Sequence, residues 1–189
     1  MLGPPASDPY ASPDAAFARW LPPTMPNSSF DPVRLDRTVC RIPYRRSRFS
    51  TELPTDRQYT PSHFWLAEVE PGLWQVGLTR FAVRMLGDLV EHGFEVKAGD
   101  AIEVGQTIGW IEAFKAIADL YCVGDGVFHA ANAALEADPT TFDKDPYGAG
   151  WLYQFRGTPE PNVVDAHGYV GLLDLAIDKI QGKATGIAK

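Results

Sequence analysis

One lysine in this chain sits where a single side chain could be offered for covalent modification. In the stretch Ile108-Gly109-Trp110-Ile111-Glu112-Ala113-Phe114-Lys115-Ala116-Ile117-Ala118-Asp119-Leu120-Tyr121, two strand-like apolar runs flank Lys115, which places it near the tip of a hairpin. Lysines are sparse after residue 52, occurring at Lys97, Lys115, Lys144, Lys179, Lys183 and Lys189. Around Lys115 the apolar neighbours would anchor a turn while the ammonium reaches water. Such a tip suits an amine that a modifying enzyme must reach. The same local pattern also describes an ordinary lysine on a turn, and local pattern alone leaves both readings open.

Conventional catalytic apparatus is not visible in the sequence. There is no phosphate-binding glycine loop of either common type, no H-E-x-x-H or C-x-x-C, and no G-x-S-x-G elbow. Four histidines, His63, His92, His129 and His167, lie far apart, and each reads first as a hydrogen-bonded structural residue. Two cysteines, Cys40 and Cys122, are too few for a disulfide framework or a thiolate zinc site.

The elements that must position the lysine follow from the apolar pattern. From Phe64 onward short runs alternate with glycine: Phe64 to Val69, Leu73 to Leu78, Leu89 to Val96, Ala101 to Val104, Ile108 to Ala113, Ala118 to Val123, Val127 to Ala131 and Trp151 to Phe155. Many short strands at close spacing predict a compact β barrel or sandwich. Phe81, Ala82, Met85, Leu86 and Leu89 instead recur at helical spacing, with Thr79 as N-cap and Gly87 as stop. A second helix is predicted from Tyr169, Leu172, Leu173, Ala176, Ile177 and Ile180, with Asp174, Asp178 and Lys179 on its opposite face.

The 189 residues, 45% of them hydrophobic, suffice for one well-buried core. No run of uncharged apolar residues is long enough to span a bilayer, and prolines break the first thirty residues, so neither a membrane span nor a secretory segment is expected. The expected location is cytoplasmic, or the mitochondrial matrix in a eukaryote.

Residues 1–52 hold 9 of the 16 prolines, 1 of the 17 glycines, and 7 arginines against 5 acids. They are expected to be a largely irregular extension, in which Cys40, Ile42 and Tyr44 alternate like an edge strand around Pro43. The remainder holds 10 basic residues against 19 acidic ones. An acidic body repels phosphate backbones, which disfavours nucleic acid, and is attracted to basic surfaces on larger enzymes.

The lysine segment resembles the lipoylation hairpin of the glycine cleavage H-protein family. That family's E-S-V-K-A-x-S-D-x-Y is matched here by Glu112-Ala113-Phe114-Lys115-Ala116-Ile117-Ala118-Asp119-Leu120-Tyr121. Leu53 to Trp65 looks like the family's entry segment, Val76-Gly77-Leu78-Thr79 with Leu86-Gly87-Asp88 like its strand and first helix, and Asp145-Pro146-Tyr147-Gly148-Ala149-Gly150-Trp151-Leu152 like its D-P-Y-G-x-G-W-L. The resemblance runs in order over about residues 53–156, and it sets the expected domains: extension 1–52, lipoyl-carrier domain 53–156, and a packing helix with tail 157–189.

The resemblance implies a mainly β, lipoyl-domain-like barrel-sandwich hybrid of two small antiparallel sheets, with a short helix after the second strand and a C-terminal helix. It implies a non-catalytic carrier with lipoate joined by an amide to Lys115, shuttling an aminomethyl group. The implied partners are a pyridoxal-dependent glycine decarboxylase, a folate-dependent aminomethyltransferase, dihydrolipoyl dehydrogenase and the lipoyl-attaching enzymes; neither nucleic acid nor a membrane is implied. Glu112 and Ala116 match positions tied to lipoylation, and Ser62, His63, Phe64 and Asp119 match the cleft in which the family parks the loaded arm. The main departure is His63-Phe64-Trp65 where the family has His-Glu-Trp, which removes a charge-assisted partner for a cationic cargo and makes a pocket there more apolar. That departure keeps two alternatives open: a lipoyl carrier in another circuit, such as sulfur transfer or lipoyl relay, and an unmodified interaction module. Biotin is disfavoured, because Phe114 and Ala116 stand where biotinyl domains have methionines.

Overall fold

The computed structural model describes residues 39–182. A hairpin of β1 (Arg41–Arg46) and β2 (Phe49–Pro54) precedes β3 (Gln58–Tyr59), β4 (Phe64–Glu70) and β5 (Leu73–Leu78), which lead into α1 (Arg80–Leu86). Next come β6 (Leu89–Phe94), β7 (Ala101–Ile102), β8 (Thr107–Ala113), β9 (Ala116–Tyr121) and β10 (Gly124–Ala131). Short helices α2 (Ala133–Ala137) and α3 (Thr141–Lys144) precede β11 (Tyr153–Pro159), and α4 (Ala166–Ile180) follows. The strands form a six-stranded sheet in the order β3-β4-β5-β11-β10-β7, a three-stranded sheet β6-β8-β9, and the separate pair β1-β2. The mainly β sandwich expected from sequence is therefore present, with sheets of unequal size.

Two cores explain the layering. Phe64, Leu66, Val76 and Leu78 of the larger sheet meet Ile108, Ile111 and Leu120 of the smaller one in the first. The second joins Trp65 to Tyr59, Phe81 and Tyr147, and to Tyr169, Leu173 and Ile177 of α4. Strand β4 separates the two, so successive residues Phe64, Trp65 and Leu66 are all buried. Because side chains alternate across a strand, burial on both faces requires an unbroken apolar run here. Gly126 faces Gly157 across the β10–β11 ladder, and a Cβ on Gly126 would lie 2.1 Å from the Arg156 carbonyl oxygen, so only glycine fits.

Helix α1 is delimited as its sequence predicts. The Thr79 hydroxyl accepts from the Ala82 amide, and Gly87, at φ 88°, donates its N–H to the Val83 carbonyl. The buried Thr79 hydroxyl also lies 2.9 Å from the Tyr169 hydroxyl, so it ties α1 to α4. Thr79→Ala is therefore expected to lower stability by about 1–2 kcal/mol, while Thr79→Ser retains most of it. Urea unfolding of both variants checks this, and an unchanged midpoint for Thr79→Ala would contradict the capping role.

The boundary expected at residue 52 falls inside β2. Residues 41–52 form an ordered hairpin, because long-range contacts fix what the local composition leaves extended. Tyr44 donates to Asp174 at 2.7 Å, and Arg46 pairs with Asp174 at 2.9 Å and Asp178 at 2.7 Å. Phe49 packs edge-on against Phe81 at 5.4 Å, and Leu53 is fully buried. The predicted outward face of α4 thus carries two acids that hold this hairpin, whereas Ile180, expected to be buried, is 59% exposed. Pro43 does lie in a strand paired on one side only. The expectation of irregular chain over residues 1–38 lies outside the described residues.

Candidate functional site

Strands β8 and β9 pair in antiparallel register from Thr107↔Tyr121 to Ala113↔Ala116, leaving Phe114 and Lys115 as a two-residue turn. Neither turn residue has a positive φ. Two-residue hairpins usually need positive φ to match strand twist, so this turn needs outside support. The link between α1 and β6 supplies it: the Phe114 amide donates to the Asp88 carbonyl at 2.8 Å and the Lys115 amide to the Leu86 carbonyl at 2.9 Å. The backbone beneath the lysine is pinned while its side chain stays exposed.

The exposed ammonium is not wholly free, because Nζ donates to the Arg84 carbonyl at 3.1 Å. The side chain therefore leans on the last turn of α1. A Cβ at Gly87 would come within 3.3 Å of the Lys115 Cγ, so glycine both ends the helix and leaves room for the lysine stem. Around it Phe114 is 81% exposed and Ile117 73%, an uncommon density of bare apolar surface on a charged tip.

The residues singled out from sequence are only partly brought together. Glu112, half-buried on β8, stands across from Ile117 and one pair from the turn; Ala116 is exposed at the start of β9. Asp119 is exposed further along this edge strand and accepts from the Tyr121 hydroxyl at 3.2 Å. Ser62 is exposed beside Thr60, their hydroxyls 2.8 Å apart. His63, at φ 68°, is half-buried, with Nδ1 2.8 Å from the Tyr169 hydroxyl.

Phe64 corrects the sequence expectation of a more apolar pocket, for its ring is 5% exposed and packed within the sandwich core. The physical reason is strand alternation: position 64 shares its face with Leu66, which also points into the first core. The structure does show a cleft of about 250 Å³ containing Lys115, and Ser62, His63, Phe64 and Asp119 do not line it. Its walls are the β1–β2 turn, α1 and the end of α4, with Phe49, Met85, Ile177 and Ile180 supplying apolar surface. No sequence signal pointed to these residues, because the cleft joins segments more than a hundred residues apart.

Burial lowers the pKa of His63 from its ordinary 6.5. An imidazole that resists protonation in the folded state contributes full stability above that value and loses it as pH falls below. The unfolding midpoint is expected to drop on going from pH 7 to pH 5, and to drop less in His63→Asn, where asparagine tolerates the positive φ. Identical pH slopes for the two proteins would remove His63 from the account.

Comparison with known proteins covers this same region. The family model described as "Glycine cleavage H-protein" matches residues 57–169. The glycine cleavage system H protein of Beutenbergia cavernae is 37% identical over 120 residues, spanning 64% of this chain and 95% of that protein. The one from Corynebacterium jeikeium is 36% identical over 122 residues, spanning 63% and 95%. A crystal structure of a glycine cleavage system H protein from Mycobacterium marinum aligns with a TM-score of 0.59 at 36% identity, covering 65% of this chain and all of that one.

Proposed function

Because the chain belongs to the glycine cleavage H-protein family, we propose that it is a lipoyl carrier whose attachment residue is Lys115 and whose cargo is an aminomethyl group. The single observation that carries this reading is an exposed lysine on a β-turn whose two amides are held from below. A carrier must offer one amine to an attaching enzyme without unfolding, and a pinned turn under an exposed side chain does that. Bound there, a lipoyl group would supply a cyclic disulfide that opens to a dithiol and carries cargo on sulfur.

The chain's own residues supply the presentation. Lys115 provides the nitrogen of the amide, and the one N–H left on Nζ remains a donor for the Arg84 carbonyl that the ammonium now uses. Phe114 and Ile117 give an attaching enzyme apolar contact beside the lysine, and Glu112 gives it one nearby carboxylate. Amide formation also removes the lysine's charge. The hairpin is then acidic through Glu112 and Asp119, which suits entry into basic active-site mouths. No described helix is long and apolar enough to cross a membrane.

The partners in this reading are a pyridoxal-dependent glycine decarboxylase, a folate-dependent aminomethyltransferase and dihydrolipoyl dehydrogenase, each meeting the arm at high effective concentration once docked. Reconstitution tests it: lipoylated protein is expected to stimulate glycine-dependent carbon dioxide exchange by the decarboxylase, and unmodified protein is not. Equal rates with both forms would overturn the assignment.

A further inference from the structure

The three-stranded sheet β6-β8-β9 carries an aromatic ring among acids on the face turned away from the core. Side chains alternate across a strand, and Ile111, Ala113 and Leu120 are buried, so Trp110, Glu112, Ile117 and Asp119 share the opposite face. On that face Glu91, Glu112 and Ile117 form one row across the strands, and Gly93, Trp110 and Asp119 form the next. Trp110 is half-buried and belongs to neither core. Its indole lies over the Gly93 backbone, for a Cβ at Gly93 would come within 2.9 Å of the ring nitrogen and 3.0 Å of Cε2. Any side chain at position 93 would push the ring aside, so glycine leaves it the space to lie across the sheet.

The carboxylates around this ring are uncompensated. Glu91 stands directly across from Glu112, Asp119 stands across from Trp110, and none of the three acids has an ion-pair partner among the described residues. Asp119 accepts only a neutral donor, the Tyr121 hydroxyl at 3.2 Å. Like charges directly opposite one another on a ladder weaken the pairing, so the free protein bears a cost that a cation placed there would relieve. An indole face attracts cations as well. Two independent features of one surface therefore ask for the same ligand chemistry. A guanidinium meets both, because it stacks flat on the indole while its N–H groups reach carboxylates at its edge.

We propose that the Trp110 face is the seat of an arginine side chain of the enzyme that attaches the arm to Lys115. The inference rests on the reading of Lys115 as the attachment site, and the choice of enzyme follows from distance. Trp110 lies three residues before the last pair, Ala113↔Ala116, which puts it about 10 Å down the strand from the turn. An enzyme acting on the bare lysine has to close over the hairpin, and its rim then comes level with Trp110. One that receives an extended arm need touch only the tip. Tryptophan and arginine are also the residues that most often dominate the energy of such contacts.

The first test uses the unmodified full chain with nitrogen-15 in its tryptophan indoles and the peptide acetyl-Gly-Arg-Gly-amide as probe. The Trp110 resonance, identified by its loss in Trp110→Phe, is expected to shift with a midpoint of about 10 mM, while the other four indoles stay in place. The same peptide with citrulline, planar but uncharged, should bind about tenfold more weakly, and Glu91→Gln with Asp119→Asn should weaken the arginine peptide about fivefold. The second test is lipoylation by the attaching enzyme, followed by intact mass. Trp110→Leu is expected to raise KM for the protein about tenfold with kcat unchanged, and Trp110→Phe, which keeps a ring, to restore most of the loss. A purely structural tryptophan would instead lower the unfolding midpoint and leave KM alone. Equal shifts from the arginine and citrulline peptides, or an unchanged KM in Trp110→Leu, would overturn this inference while leaving Lys115 as the attachment site. A native chain that gains no mass at Lys115 would overturn the attachment reading and this inference with it.

Discussion

Lys115→Arg protein, produced in a host that attaches lipoate, is expected to show the unmodified mass, while the native sequence gains one lipoyl group. The chemistry is decisive because amide formation needs a neutral amine, and a guanidinium does not deprotonate near neutral pH. The fold is expected to survive, since the side chain is exposed and the bonds that hold the turn come from backbone amides of Phe114 and Lys115 that arginine would keep. Stability should change by no more than about 0.5 kcal/mol. Lys97, Lys144, Lys179, Lys183 and Lys189 remain in this variant as internal controls. Retention of the lipoyl mass would move the attachment site to one of them, and a variant that loses both mass and fold would be separated from a true site variant by its unfolding curve. The same protein should fail to stimulate the decarboxylase exchange.

The second large effect concerns the position at which the chain departs most visibly from its family. Phe64→Glu is expected to destabilise the protein by about 3 kcal/mol or more at neutral pH, because the substitution puts a carboxylate into the first core. Phe64 is 5% exposed and its backbone amide donates to the Thr60 hydroxyl, which fixes the strand at that point. A buried carboxyl prefers its neutral form, so its folded-state pKa rises above the unfolded value. The penalty is then smaller at pH 4 and grows as pH rises through that range toward neutrality. Phe64→Leu, which keeps an apolar side chain, should cost roughly 1–2 kcal/mol with no such pH dependence. A Phe64→Glu protein with native stability at neutral pH would show that position 64 reaches solvent. It would restore the expectation that this residue lines a cleft and tunes the cargo.

The legibility of the fold from sequence differs from element to element. Helix α1 was readable to within a residue or two because each of its limits is a local event: a threonine hydroxyl accepting from an amide three residues on, and a glycine at positive φ closing the last turn. Strand β5 was readable end to end, and β4 and β8 to within one residue, because their apolar runs stop at turn residues. The two-residue strand β3 and the four- and five-residue helices α3 and α2 left no periodic trace, being too short to repeat any pattern. The β1–β2 hairpin was half visible. Its alternation is local, but what orders it is a set of contacts to α4, in which Tyr44 reaches 130 residues along the chain to Asp174.

The site divides in the same way. A lysine between two short apolar runs, with Glu112 three residues before it, is a fact of sequence, and sequence sufficed to place it on a hairpin tip and in a family. Sequence could not say which way Phe64 faces, because the run Phe64-Trp65-Leu66 is apolar throughout and alternation has no polar partner from which to read a side. Only packing settles that, by lodging Phe64 and Leu66 in one core and Trp65 in the other. Nor could it reveal the cleft next to Lys115, whose walls come from the β1–β2 turn, α1 and the end of α4. Hydrogen bonding and periodicity act over a few residues and are written locally, whereas a cavity is the space left between distant segments and exists only once they have packed.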